Sequence, residues 1–372
     1  MKIVYYTNQI AVAGGLERVL TDKANAWVQR GYLVEIATYA QRGRAPFYTL
    51  ERTVKLIDLD IPYKSKGSLR SFYNLSLLPL HFIRLFQFIN NSKPDVVLVA
   101  NCGLEYFLFP FLRKATKSIK EEHLSKYEPL CTPVSLSIRS IYENFKRCFL
   151  TFYDAYVALN KDEIKFGPEG KSVEIPNPIK LEATESSFFQ SREKVIISIG
   201  RLTPIKQYDH LIEIFFEVYK VHPEWKLKIV GEGSQLLKLK NKITELALED
   251  AVYLTGITNE VELELAKASI FALTSRTESF SMAILEAMRN ELPVVSYDSP
   301  YGPRNIIHDE GDGFLIKLND KASFAEAICS LIEKPIMRME MGQRGRLNVK
   351  RFEIGEVMKK WDKLFNSLGL KT

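Results

Sequence analysis

The sequence lacks any apolar run close to the roughly 18 residues that a membrane-spanning helix needs, although 46% of its 372 residues are hydrophobic. Cysteine is scarce too. Cys102, Cys131, Cys148 and Cys329 stand far apart and form no Cys-x-x-Cys pair, which argues against a zinc site and for a reduced, cytoplasmic setting. No His/Asp/Cys cluster sits at ligand spacing, so no metal is expected. The dinucleotide fingerprint Gly-x-Gly-x-x-Gly is missing as well: Gly14-Gly-Leu-Glu-Arg-Val has the wrong spacing. There is no internal repeat and no low-complexity segment. The net charge of +6 is modest, and no recognised module accompanies the basic residues, so nucleic-acid binding is not expected. The N-terminal Met1-Lys-Ile-Val-Tyr-Tyr-Thr-Asn-Gln turns polar too soon for a secretory signal and reads as a first strand.

What the chain does contain is an alternation of short apolar runs with helical stretches. Strands are expected at Ile3–Tyr6, Leu33–Thr38, Val54–Leu59, Val96–Ala100, Ser118–Glu121 and Tyr156–Leu159. A second series follows at Val195–Ile199, Leu227–Val230, Val252–Leu254, Ile270–Thr274 and Val294–Ser296. Runs such as Asp95-Val-Val-Leu-Val-Ala100 suit parallel strands covered on both faces, and the alternation implies doubly wound α/β layers. Ile175-Pro-Asn-Pro-Ile179 bars both helix and central strand. A domain boundary is placed there, giving domains 1–177 and 178–354. A last helix, near Gly355–Leu368, has an apolar face of Val357, Met358, Trp361, Leu364 and Phe365. Periodicity leaves open which domain it packs on.

The most informative segment is Ser275-Arg-Thr-Glu-Ser-Phe-Ser-Met-Ala-Ile-Leu-Glu-Ala-Met288. A helix beginning near Ser281 puts Glu286 in its second turn and Glu278 in the loop just before it. Both carboxylates can then face one cleft at a helix N-terminus, which itself favours anions. Upstream, Gly200-Arg-Leu-Thr-Pro-Ile-Lys206 supplies two cations after an apolar strand. A sugar nucleotide calls for this combination: cations for its diphosphate and carboxylates for its hydroxyl groups.

Together these pieces resemble the retaining glycosyltransferases of family 4, which have the GT-B fold of two facing Rossmann-like domains. The matching residues are Gly14-Gly15-Leu-Glu-Arg18, Gly200-Arg-Leu-x-x-x-Lys206, Gly231-Glu-Gly233 and Glu278-x7-Glu286. Asp298-x-x-x-Gly-Pro-x-x-Ile-Ile307, Gly313-Phe-Leu315 and the closing Arg351-Phe352 with Trp361 also match. The resemblance implies that the last helix, within 355–372, returns to the N-terminal domain. It implies that Arg201 and Lys206 meet the donor diphosphate, Glu286 the ribose and Glu278 the donor sugar. Ser279 and Phe280 flank that sugar, Gly231 borders the donor, and the Gly14-Gly15 loop faces the diphosphate from the other domain. His123, where a strand ends, matches a histidine that touches the donor sugar or the reacting centre. The chain departs from the pattern at Ser279 and Gln207, where glycine is common.

The resemblance further implies transfer of a hexose from a UDP-sugar to a glycan, carried on a lipid at the inner membrane face. Two rival readings are another GT-B activity, such as a sugar-nucleotide epimerase, and a non-catalytic sugar-nucleotide-binding subunit. Residues 64–93 contain Lys64, Lys66, Arg70, Arg84 and Lys93 and no acidic residue. From Leu80 to Ile89 the polar His81, Arg84 and Gln87 make one narrow stripe, which reads as a helix buried on most sides. Peripheral contact with anionic membrane is therefore assigned to Tyr63–Tyr73.

Overall fold

A computed structural model describes residues 1–64, 72–100, 109, 116–123, 147–181, 192–258 and 260–371. Cys102, Cys131, Lys66, Leu69 and Arg70 lie outside the described residues. The chain divides into two compact units, one of Met1–Leu124, Glu128–Pro178 and Ile354–Thr372, the other of Ser125–Tyr127 and Ile179–Glu353.

The first unit is built on strands β1 (Lys2–Thr7), β2 (Leu33–Thr38), β3 (Lys55–Asp58), β4 (Val96–Val99), β5 (Lys117–Glu121), β6 (Ala155–Ala158) and β7 (Ser172–Glu174). They pair in the order β3-β2-β1-β4-β5-β6-β7, and every pairing is parallel. The second unit carries β8 (Val195–Ile199), β9 (Lys226–Val230), β10 (Val252–Gly256), β11 (Ile270–Leu273), β12 (Val294–Tyr297) and β13 (Gly313–Ile316). Their order is β10-β9-β8-β11-β12-β13, again all parallel. Strand order reverses at β1/β4 in one sheet and at β8/β11 in the other. Beyond the carboxyl ends of the strands at such a reversal, the connecting loops diverge to opposite faces and open a crevice.

The described helices are α1 (Gly15–Gln29), α2 (Phe72–Ser76), α3 (Leu78–Ser92), α4 (Tyr208–Val221), α5 (Leu236–Glu245), α6 (Val261–Lys267), α7 (Met282–Arg289), α8 (Lys321–Glu333), α9 (Pro335–Val349) and α10 (Ile354–Ser367). The face of α1 that meets the sheet runs through Val19, Leu20, Ala24 and Trp27, all fully buried. The last helix, α10, presents Val357, Met358, Trp361, Leu364 and Phe365 to the same core. The Trp361 ring meets Trp27 edge-on at 5.6 Å, and Trp27 lies 5.4 Å from Tyr5 on β1. Helix α10 is thus anchored in the first unit by aromatic packing.

Helix α3 corrects the expectation of a solvated polar stripe on an otherwise buried helix. His81 is fully buried; its Nε2 meets the Tyr6 hydroxyl and its Nδ1 lies 2.8 Å from the Tyr63 hydroxyl. Arg84 turns inward and donates to the carbonyls of Leu59 and Asp60. The outward face instead carries Ile83, 51% exposed, and Phe86, 45% exposed. Polar residues that find partners in a core need no water, and this releases apolar ones to the surface. Tyr63 is buried as well, so of the Tyr63–Tyr73 segment only Lys64, Phe72 and Tyr73 are described as exposed.

Burial lowers the His81 pKa from 6.5 to about 4. The unfolded chain therefore binds a proton that the folded chain refuses between those values, and stability falls as pH drops through that window. The gap corresponds to on the order of 3 kcal/mol, fully present above 6.5 and lost below about 4. A His81→Gln variant keeps hydrogen-bonding capacity but does not titrate. Thermal unfolding at pH 7 and pH 4 should show the wild type losing more stability than His81→Gln. Equal losses would contradict this assignment.

Candidate active site

In the second unit the loops after β8 and β11 meet at the reversal of strand order, and they bring Lys206 to Glu278. The Lys206 Nζ donates to Glu278 Oε1 at 2.5 Å, with the two side chains only 20% and 13% exposed. Four features put them there. Gly200 has φ +157°, and a Cβ on it would come within 2.9 Å of the Tyr208 hydroxyl and 3.3 Å of Lys206 Cε, so the lysine stem lies across the bare glycine. Pro204 opens a single 3-10 turn, Pro204–Lys206, that lifts Lys206 out of the loop. Thr274, at the end of β11, donates to the carbonyls of Lys206 and Gln207 at 3.0 Å each, and the Arg276 amide donates to Ile205 O at 2.8 Å. Finally, the Gly302 amide donates to Glu278 O at 2.9 Å. A Cβ on Gly302 would sit 2.6 Å from Glu278 Cβ, so this close approach requires glycine.

Gln207 adopts the left-handed conformation, φ +48° and ψ +45°. The structure thus explains why glycine would suit that position. Arg201 lies on the same loop as Lys206. It is exposed, and its guanidinium makes no hydrogen bond or ion pair among the described residues. Gly231 supports this wall from behind. It has φ +145°, and a Cβ there would come within 2.0 Å of Gly200 O. Leu202 is laced to the loop after β9, donating to Glu232 O at 2.8 Å and accepting from the Gln235 amide at 3.0 Å.

Glu286 occupies the second turn of α7 and is 7% exposed. Ser281 stands at the N-cap, but its hydroxyl makes no capping hydrogen bond, which leaves first-turn amides of α7 to other partners. Ser279 is buried. Phe280 packs edge-on against Phe352 with centroids 5.5 Å apart, and Arg351 lies over the Phe352 ring while donating to the carbonyls of Asn305 and Ile306. Arg304 is held in a two-pronged pair with Asp298 at 2.8 Å for each contact.

In the first unit, Gly14 and Gly15 end the loop after β1 and open α1, while His123 follows β5 at the same carboxyl edge of the parallel sheet. His123 is not an isolated polar residue. Its Nε2 lies 3.4 Å from Glu121 Oε2, with side chains 5% and 1% exposed. Glu121 Oε1 is bound by the ammonium of Lys23, and Oε2 accepts from the Tyr5 hydroxyl at 3.1 Å. Burial alone would raise the Glu121 pKa, but Lys23 and His123 overcome it and hold the carboxyl well below the usual carboxylate range. Burial lowers the pKa of Lys23 against the pull of Glu121. Neither Lys23 nor Glu121 was singled out from sequence. One signal was present: Lys23 interrupts the apolar stripe of α1 between Leu20 and Trp27, where a charge must be paired to be buried.

Residues 180–348 match the family model described as glycosyl transferases group 1. An uncharacterized glycosyltransferase of Haemophilus influenzae is 26% identical, over 97% of this chain and 98% of its own. The model match covers a little under half of the chain and lies in the second unit. The amylovoran biosynthesis glycosyltransferase AmsD of Erwinia amylovora is 24% identical, over 98% and 99% of the two chains. The crystal structure of Anabaena HepE in complex with UDP superposes with a TM-score of 0.76 at 18% identity, covering 99% of this chain and all of the other. At that identity the likeness bears on the fold, and the chain has the GT-B fold.

Proposed function

We propose that this protein is a group 1 glycosyl transferase that moves a hexose from a UDP-sugar to a glycan acceptor on a lipid carrier, with retention of anomeric configuration. The observation that carries this reading is the Lys206–Glu278 pair at the β8/β11 reversal, beside the unpartnered Arg201. When a glycosidic bond to a nucleotide breaks, negative charge grows on the departing diphosphate. Cations fixed in advance stabilise that developing charge more than the ground state. Arg201 can grip phosphate oxygens bidentately, and Lys206 adds a point charge. Glu278 then accepts from donor-sugar hydroxyls and steadies positive charge on an oxocarbenium-like sugar. Glu286 accepts from the ribose hydroxyls, as a buried ionised carboxylate does well. The Gly14-Gly15 loop lets backbone approach the diphosphate, and His123 serves the sugar. No metal enters the scheme, because the cations supply the positive charge. The choice of uridine is supported by the UDP named for HepE, and a polysaccharide acceptor by the name of AmsD.

Peripheral membrane contact belongs to the same reading, on a relocated surface. Phe72, Tyr73, Ile83 and Phe86 are exposed, and the Lys64 ammonium lies 4.3 Å from the centre of the Tyr73 ring. No helix among the described residues is long and apolar enough to cross a membrane. Sedimentation with anionic vesicles should carry the protein down at low salt and less at high salt. Absence of pelleting in both would remove this part of the reading.

The enzymatic core of the proposal is tested by Lys206→Ala. Loss of one fixed donor to the leaving group should lower turnover by about 10²–10³, or about 3–4 kcal/mol. UDP release during transfer or donor hydrolysis is the measurement, with the anomeric configuration of the product read by NMR. Turnover within a few-fold of wild type would contradict the role given to Lys206.

A further inference from the structure

The first unit contains a buried ionic cluster that the transfer reaction as described does not use. Lys23 comes from α1, Tyr5 from β1, Lys120 and Glu121 from β5, and His123 from just beyond β5. Lys23 is 1% exposed, and its ammonium lies 5.3 Å from the centre of the Tyr5 ring and 5.1 Å from that of Trp361. Lys120 is fully buried and donates to the carbonyls of Val99 and Glu121. Burying two ammonium groups and a carboxylate is costly, and a hydrophobic replacement is often as stable or more so. Stability alone is a weak reason for such a cluster at a sheet edge.

The carboxylate has its two oxygens committed differently. Oε1 belongs to Lys23, whereas Oε2 is shared between the Tyr5 hydroxyl at 3.1 Å and His123 Nε2 at 3.4 Å. The 3.4 Å contact is electrostatic rather than a formed hydrogen bond, and contacts of this kind tighten when substrate enters. An ionised carboxylate only accepts. The nitrogen facing it must therefore be the one that carries hydrogen.

We infer that Glu121, clamped by Lys23 and Tyr5, is a positioning residue that fixes His123 in its Nε2–H tautomer. Nδ1 then keeps its lone pair as the acceptor available to a substrate hydroxyl. This rests on the reading of His123 as the group that serves the donor sugar. Lys23 keeps Glu121 ionised, so it acts on His123 at one remove. Burial lowers the His123 pKa; Glu121 opposes this, and Lys23 and Lys120 add to it. The imidazole is accordingly neutral at pH 7, as a hydroxyl acceptor must be. The arrangement uses the same logic by which a carboxylate behind a catalytic or metal-bound imidazole sets its tautomer.

The test compares two double variants that each remove the buried ion pair. Lys23→Met with Glu121→Leu leaves His123 without an acceptor, whereas Lys23→Met with Glu121→Gln restores one. Long-range ¹⁵N spectra of protein labelled at its five histidines, with His123 assigned by its loss in His123→Gln, report the tautomer directly. Wild type and the Gln double variant should show His123 protonated at Nε2, and the Leu double variant a mixture. In transfer assays the Leu double variant should lose on the order of 10–100-fold in kcat with little change in donor KM. The Gln double variant should regain most of that loss. Both variants should melt as cooperatively as wild type. The inference is overturned if the Leu double variant keeps the Nε2–H signal and wild-type kcat, or if the Gln double variant falls as far. Should wild type transfer no sugar at all, the functional reading fails, and the tautomer spectra still decide this inference.

Discussion

The ion pair between Lys206 and Glu278 is the point on which the second unit's site depends. It joins residues 72 positions apart in sequence, within three loops stitched together by hydrogen bonds to backbone carbonyls. The loop after β8 is bonded to the one after β9 through Leu202, and to the one after β11 through Thr274 and the Arg276 amide. Gly200, Gly231 and Gly302 permit backbone and side-chain approaches that any Cβ would block. The cation is thereby held before a ligand arrives, and such preorganisation is where enzymes gain most over water. In the unliganded state Glu278 partly neutralises Lys206, while Arg201 stays exposed. On the proposed reading, a diphosphate would compete with a carboxylate for Lys206 and meet Arg201 without such competition.

The first unit uses charge in the opposite manner. Its Lys23–Glu121 pair is buried beneath aromatic rings, where reorganisation is expensive and a fixed geometry results. One of those rings, Trp361, packs edge-on against Trp27 and anchors helix α10. One cluster therefore couples the seating of the last helix to the environment of His123. Substitutions at Trp361 would be felt at the sheet edge through Lys23, whose ammonium faces that ring.

Much of this architecture was legible because parallel strands buried on both faces are written as continuous apolar runs. Val96–Val99 and Ile270–Leu273 are wholly buried and were readable for that reason. The edge strands β7 and β13 were not. Ser172–Glu174 is three residues with one apolar member, and Gly313–Ile316 opens on a glycine and is only partly buried after it. At the candidate site, Arg201 and Lys206 were legible as charge after a strand beside Gly200, and Glu278 by its spacing from Glu286 across a helix start. Their direct pairing was not, since it depends on long-range lacing by Thr274. The polar stripe of α3 misled because His81 resembles a surface residue until Tyr6 and Tyr63 are seen to enclose it. Lys23 was passed over for the same reason: its partner lies 98 residues away, beyond any local pattern.

If Glu278 holds Lys206 in reserve for a phosphate, neutralising Glu278 must separate binding from chemistry. Calorimetric titration of UDP into wild type and Glu278→Gln, with sugar transfer measured alongside, addresses this most directly. The account predicts UDP affinity equal to or several-fold tighter than wild type in Glu278→Gln, together with a large loss of transfer. Weaker UDP binding in that variant, or transfer at the wild-type rate, would contradict it.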